Sequence, residues 1–359
     1  MKRVVFILVA SLLGFLGLEA AVFRSGVYFE ITDQGASSGY TEMILHNEEI
    51  RVKEGFNQIL SIGDSRMALV ARVANGLTSE TGYTHGTISV AGTTPRCWYY
   101  MLRGIDPNAN RYKAIAIGID TFDDQETWEN YADRESDTSY VIGRLGYSDI
   151  LEFGGSFQDP AIGARARRAI FLKGLLLKRD FQEMLRNPWV RVRDALQSRR
   201  DSHEWIYEYL GPTRSMAGLD VDFEHKTLKP PPGADPGLEA SLKDYLLKEL
   251  PPYDGRHAAY LKYWYGRIYD HYRNSGTKLI FLRLARGPRA RPDFSPTKPD
   301  SSVRLLAHEK NVVLLPDEFF NSLETPELFQ DQMHLNQEGL RRFSTMLARE
   351  IPKIVGPPQ

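Results

Sequence analysis

The stretch Gln58-Ile-Leu-Ser-Ile62-Gly63-Asp64-Ser65-Arg66 decides how this chain is read. An apolar, strand-like run ends in a glycine, an acid and a serine, and a helical pattern follows over Arg66–Asn75. Similar runs recur at Thr87–Ala91, Lys113–Gly118, Lys278–Arg283 and Val312–Leu315, with a second helical stretch at Pro95–Leu102. Several of these runs lack clean alternation, as expected of parallel strands covered on both faces. Strand followed by helix, repeated, defines an α/β class with a doubly wound sheet.

Composition sets the outer bounds. The 359 residues are 42% hydrophobic and 25% charged, which allows a sizeable core. A formal net charge of −1 gives no whole-chain electrostatic case for nucleic acid. The basic spots Arg165, Arg167, Arg168 and Arg199, Arg200 read as solvated helix faces. Cys97 is the only cysteine, so neither an intrachain disulfide nor a cysteine-based metal site can form. No cofactor is expected.

Three segments follow from polarity along the chain. In residues 1–24, Lys2 and Arg3 precede an apolar run from Val4 to Phe23 broken only by Glu19. About twenty residues at ~1.5 Å each just cross a hydrocarbon core. The basic start favours a cytoplasmic N-terminus with the rest of the chain outside. A cleaved signal peptide is the other reading, but Leu18 or Glu19 stands where cleavage wants a small residue. A retained anchor is therefore favoured, with Glu19 near the interface and Arg24 within pairing reach. Residues 25–54, with turn signals at Gly35, Ser37, Ser38 and Gly39, read as a juxtamembrane lead-in. Residues 55–359 read as the sheet domain, interrupted by a helical insertion over about 123–276. Its helix-like segments lie near 125–133, 160–185, 188–209, 238–249 and 254–274, with a break at Thr227–Gly237. The proline-rich Gly287–Asp300 follows a strand and is either a wall of the ligand crevice or a plain surface loop.

Serine is a weak nucleophile and needs a base. His334 is the candidate, and Asp331 lies three residues before it, close enough for one turn to bring its carboxylate to the ring N–H. The plainer alternative makes Ser65 a helix N-cap and Asp331 the cap of the final helix. The remaining polar clusters read as structural. Asp120, Asp123 and Asp124 lack calcium-loop spacing and suit a solvated loop. Asp220, Asp222, Glu224 and His225 suit a short strand with one polar face. His203, His257, His271 and His308 suit surface or packing positions, and Tyr260, Tyr263, Trp264 and Tyr265 a helix core face. Arg283 and Arg286, at the carboxyl end of a strand, suit a salt bridge or contact with an anionic polysaccharide.

These motifs resemble those of the SGNH/GDSL hydrolases. The Gly63-Asp64-Ser65 turn resembles the family's first block and Asp331-x-x-His334 its last. Ile88-Ser-Val-Ala-Gly92 falls where the family has its oxyanion-hole glycine, and Ile117-Gly118-Ile119-Asp120 where it has Gly-x-Asn-Asp. The resemblance covers roughly 55–122 and 277–355. It implies a flavodoxin-like, three-layer α/β/α fold with catalytic Ser65, His334 and Asp331. The oxyanion hole would draw on the backbone of Ser65 and Gly92, with Asp64, Arg66, Gly118, Asp120 and Arg283 as candidate lining residues. One position departs from the pattern. The family's asparagine donates to the oxyanion, whereas an ionised Asp120 only accepts. A lost donor costs about 2.7–4 kcal/mol in the transition state. Asp120 is therefore expected to be protonated or to turn away toward Arg66 or Arg96.

The N-terminal anchor, the Gly-Asp-Ser-Arg turn and the Asp-x-x-His-Leu-Asn ending are also similar to membrane-tethered SGNH proteins of bacterial envelope acylation, those of alginate O-acetylation being the nearest type. That resemblance implies a single pass through the cytoplasmic membrane and a catalytic domain on the extracytoplasmic side. It further implies an acyl ester or carbohydrate substrate and a membrane-bound O-acyltransferase as partner. A non-catalytic SGNH-fold binding or assembly subunit is the competing class; Asp120 favours it and the intact Ser65, Asp331 and His334 oppose it.

Overall fold

The computed structural model describes residues 2–52, 58–124, 131–208, 210–249, 253–289 and 298–358. Its strands are β1 (Gln58–Ile62), β2 (Thr84–Thr87), β3 (Ala114–Ile119), β4 (Asp220–Asp222), β5 (Thr227–Lys229), β6 (Lys278–Arg283) and β7 (Val312–Leu314). Five of them form one sheet in the order β2-β1-β3-β6-β7, with every pairing parallel. The protein is thus α/β around a five-stranded parallel sheet. Strands β4 and β5 form a separate antiparallel hairpin.

Burial on both faces explains the missing alternation. Ile280 and Leu282 of β6 join a core with Phe343 and Leu347 of the helix Gln337–Val355. Phe281, between them, points the other way and meets the Tyr265 ring at 5.5 Å, on the helix Gly255–Tyr272. Successive strand side chains face opposite sides, so each side of β6 is covered by a different helix. Every residue of β1 and β3 is buried as well. Each fully buried Ile or Leu contributes roughly 1.5–3 kcal/mol, which makes these central strands the main apolar store of the sheet.

Three expectations shift. The second strand lies at Thr84–Thr87, not Thr87–Ala91. Ile88 and Val90 are fully buried but belong to the loop beyond it; hydrophobicity there reports burial, not pairing. The helix expected over Arg66–Asn75 is divided into a 3-10 turn at Ser65–Met67 and a short helix at Val70–Asn75. Within Thr227–Gly237, the first residues form β5 and pair with Asp220–Asp222. Most of the segment near 125–133, the 54/55 boundary, and Pro292 and Pro296 of the Gly287–Asp300 loop lie outside the described residues.

Two compact units emerge, one of residues 1–47 with 132–203 and one of 48–131 with 204–359. The first draws on both the lead-in and the insertion. It contains the helices Pro160–Phe171, Lys173–Arg186 and most of Pro188–Glu208. The helix Ser37–Val52 crosses the boundary in sequence. The second unit holds the sheet. At the start of the chain, the helix Lys2–Phe23 is long and apolar enough to cross a membrane.

Candidate active site

Ser65, Asp120 and Arg283 all stand at the carboxyl ends of sheet strands. Chain order reverses between β1 and β3, and open parallel sheets bind ligands at such a switch point. Gly63 makes the turn after β1 possible. A Cβ there would lie 2.7 Å from Met67 Cγ and 3.2 Å from the Gly118 carbonyl. Gly118 is equally constrained, since its own Cβ would meet Met67 Sδ at 2.8 Å. Two glycines on neighbouring strands thus leave room for Met67.

The cap of this turn is Asp64, whose Oδ1 accepts from the Arg66 N–H at 2.9 Å. Ser65 is therefore the first residue of the 3-10 turn, not its cap, and its hydroxyl reaches elsewhere. Ser65 Oγ lies 2.8 Å from His334 Nε2. A single 3-10 turn offers little of the dipole that a full helix from Arg66 would have supplied at Ser65.

His334 is held from the other end of the chain. Phe329 and Leu335 form an isolated antiparallel bridge, and the Gln330 N–H donates to the His334 carbonyl at 3.0 Å. Inside this loop Asp331 Oδ1 accepts from the N–H groups of Met333 at 2.8 Å and His334 at 2.7 Å. Its Oδ2 lies 2.9 Å from His334 Nδ1. The final helix is capped by Asn336, which accepts from the Gly339 N–H at 3.0 Å. Asp331 is thereby free of capping duty. Burial alone would raise its carboxyl pKa, but the hydrogen bond and charge of His334 and the two backbone donors outweigh burial and hold it below the usual range. A carboxylate only accepts, so Nδ1 carries the ring proton and Nε2 is left to accept from Ser65.

On the other side, Asp120 does turn to Arg66. The Arg66 guanidinium bonds Asp120 and also Asp64, the latter at 2.6 Å. Burial opposes the Arg66 charge, but Asp120 and Asp64 more than offset this and raise its pKa well above the ordinary value. Arg96 is fully buried, its guanidinium 5.0 Å from the centroid of the Tyr260 ring.

Gly92 has φ +76 and leads into Thr93, whose hydroxyl donates to the Val90 carbonyl at 2.7 Å and lies 3.4 Å from that of Gly63. The loop of Gly92 thus comes near the turn that carries Ser65. Arg283 is directed into structure. It donates to the Asp317 carbonyl at 2.6 Å, to Glu324 at 3.1 Å and to Asn321. Arg286 makes a bidentate pair with the same Glu324, at 2.8 and 2.6 Å. Of the two roles considered for these arginines, the salt bridge is the one observed. Gly287, at φ +137, approaches the histidine loop so closely that a Cβ would lie 2.8 Å from the Gln332 carbonyl.

The sequence reading missed the Asn336 cap, although an Asn directly before an apolar-periodic run is a start signal. For His257, the packing position is the one of its two expected places that the structure shows. This ring is buried, and burial lowers its pKa against the opposing pull of Asp254 and Asp120. Other clusters are consumed locally. Asp123 accepts from the Lys298 N–H and Arg304, Asp124 from the Ser302 N–H, and Asp222 holds His225 at 2.7 Å. Tyr260, Trp264 and Tyr265 are buried. An open polar pocket of about 450 Å³ lies in the first unit, lined by residues that include Asp33, Ser37, Ser38 and Asp180. Asp180 is engaged by Tyr28 and Arg191, and none of the pocket's lining residues belongs to the Ser65, His334 and Asp331 set.

Neither the comparison with protein-family models nor that with curated proteins returns a match.

Proposed function

We propose that this chain is a serine-dependent acyl-ester enzyme of the SGNH/GDSL type, with the flavodoxin-like, three-layer arrangement of that family. The observation that carries the reading is the continuous relay from Ser65 Oγ through His334 to Asp331, with contacts of 2.8 and 2.9 Å, at the end of a parallel strand.

Chemistry follows from the relay. His334 Nε2 takes the Ser65 proton as Oγ attacks the ester carbonyl, and Asp331 stabilises the imidazolium. The developing oxyanion takes the N–H groups of Ser65 and Gly92. His334 then protonates the leaving alcohol, which departs and leaves an acyl-serine. Water or a sugar hydroxyl attacks next, with His334 as base, and Ser65 is regenerated. Hydrolysis and transfer share the first half. The resemblance to envelope acylation proteins suggests a short acyl group on an envelope or secreted carbohydrate, and a membrane-bound O-acyltransferase as neighbour. The basic start of the apolar helix suggests one pass through the cytoplasmic membrane with the serine site outside.

A second reading, a non-catalytic binding or assembly subunit, draws on Asp120. That carboxylate donates nothing to an oxyanion and is committed to Arg66.

Turnover of p-nitrophenyl acetate by the full chain in detergent separates the readings. Ser65→Ala and His334→Ala should each lower it by roughly 10⁶-fold with folding intact, the scale of triad removal elsewhere. Turnover that survives Ser65→Ala removes the enzyme reading of this site.

A further inference from the structure

The N-terminal helix is exposed along nearly all of its apolar length as far as Leu18, and beyond it burial begins at Glu19 and Phe23. Val4–Leu18 spans roughly 22 Å at ~1.5 Å per residue, short of the ~30 Å hydrocarbon core. To cross, the helix must use its last turns as well, Glu19–Phe23. Glu19 and Phe23 are already buried against protein. Glu19 pairs with Arg24 at 3.5 Å and accepts from the Gly174 N–H at 3.4 Å. Phe23 packs so closely on Gly174 that a Cβ there would lie 2.9 Å from its ring. Arg24 donates to the carbonyls of Ile170 and Phe171 and lies 3.6 Å from the Tyr147 ring centroid. The corner between the helices Pro160–Phe171 and Lys173–Arg186 is thereby fixed at the depth of the membrane helix's exit.

That corner is apolar on the outside and basic around it. Tyr147 and Phe171 are ring neighbours at 6.0 Å, and both are exposed. Leu151 is 79% exposed and Leu175 60%. Water is a poor environment for such side chains, and a cluster of them marks an interaction surface. From Pro160 to Arg179 the sequence carries six cations and no carboxylate; Lys173 is buried and Arg165 and Arg179 pair with Glu135 and Glu183, while Arg167, Arg168 and Lys178 are exposed. Apolar side chains flanked by Lys and Arg match the boundary between acyl chains and anionic headgroups.

Resting on the reading of Lys2–Phe23 as a membrane anchor, we propose that Tyr147, Leu151, Phe171 and Leu175 form a second membrane contact, inserted into the interface of the leaflet from which that helix emerges, with Arg167, Arg168 and Lys178 on lipid headgroups. The helix Lys173–Arg186 then contributes to anchoring, and the buried Glu19–Arg24 pair joins it to the transmembrane segment.

The test uses the full chain in vesicles containing phosphatidylglycerol, with a fluorophore on single cysteines in a Cys97→Ala background of unchanged circular dichroism. Labels go at Gly14→Cys, where a Cβ meets nothing within 4 Å, and at Phe171→Cys and Leu175→Cys. Each label is exposed to nitroxide lipids and, separately, to aqueous iodide. The proposal expects all three to be quenched several-fold more by lipid than by iodide. It also expects the Leu175 signal to lose lipid quenching when Arg167, Arg168 and Lys178 become Glu. A lipid-quenched Gly14 with iodide-quenched Phe171 and Leu175 overturns the proposal and leaves the anchor standing. Shielding of Phe171 and Leu175 from both quenchers assigns the face to protein and also overturns it. An iodide-quenched Gly14 removes the anchor itself.

Discussion

Ser65 stands between two charged clusters of opposite character. On one side a histidine meets one carboxylate, on the other an arginine meets two. His334 sits at 2.8 Å from Ser65 and 2.9 Å from Asp331, with Nε2 facing the hydroxyl and Nδ1 the carboxylate. Arg66 lies between Asp64 and Asp120 and stays charged at any working pH. The first arrangement is suited to moving a proton, the second to holding a turn. The same pairing of cation and carboxylate is thus arranged in one place as chemistry would need it and in the other as architecture. The difference also accounts for Asp120: with Arg66 beside it, its carboxylate does not stand as a bare charge near Ser65.

The contrast breaks most visibly at Asp331. Asp331→Asn keeps the shape but loses the acceptor that sets the tautomer, and steady-state kinetics should show kcat lowered by roughly 10⁴-fold with the fold retained by circular dichroism. A loss under tenfold would mean that the carboxylate is only a turn former. Arg66→Ala probes the other cluster and should act on stability. It leaves two carboxylates facing each other without a cation, and removing one partner of a buried pair costs about 3–5 kcal/mol; urea unfolding measures this. Unchanged stability would show that Asp64 and Asp120 do not depend on Arg66. Asp120→Asn should be milder, because Arg66 keeps Asp64, with kcat within about tenfold of the parent, the scale of one ordinary hydrogen bond. Complete loss of turnover with intact folding would give Asp120 a direct catalytic part.

The smallest effect is in pH. The folded pKa of Asp331 lies below its unfolded value. Its ionisation therefore stabilises the fold above about pH 3.9, the ordinary Asp value, and that contribution is lost as pH falls through the depressed folded value. The melting-temperature gap between the parent and Asp331→Asn should narrow as pH falls below about 4. A gap that widened there would reverse the sign of the assigned shift.

Much of this was legible in residues. Gln58–Ile62 and Lys278–Arg283 stand where the apolar runs put them, because a centrally buried strand is apolar throughout. The edge strand Thr84–Thr87 was not, since Thr-His-Gly-Thr carries little hydrophobic signal and its identity comes from pairing with β1. Ser65 and His334 could be matched by motif across the whole chain. The cap at Asn336 and the departure of Arg283 to Glu324 depend on tertiary neighbours and leave no local period to read. The first unit was least legible. Its segments 1–47 and 132–203 are distant in sequence, and only folded contact reveals them as one body.

The central claim is that His334 activates Ser65. Treating the full chain with a serine-directed fluorophosphonate, followed by peptide mass spectrometry, tests it directly. The account predicts one adduct, on Ser65, formed rapidly in the parent and lost in His334→Ala. An unmodified Ser65, or one modified equally fast without His334, would contradict it.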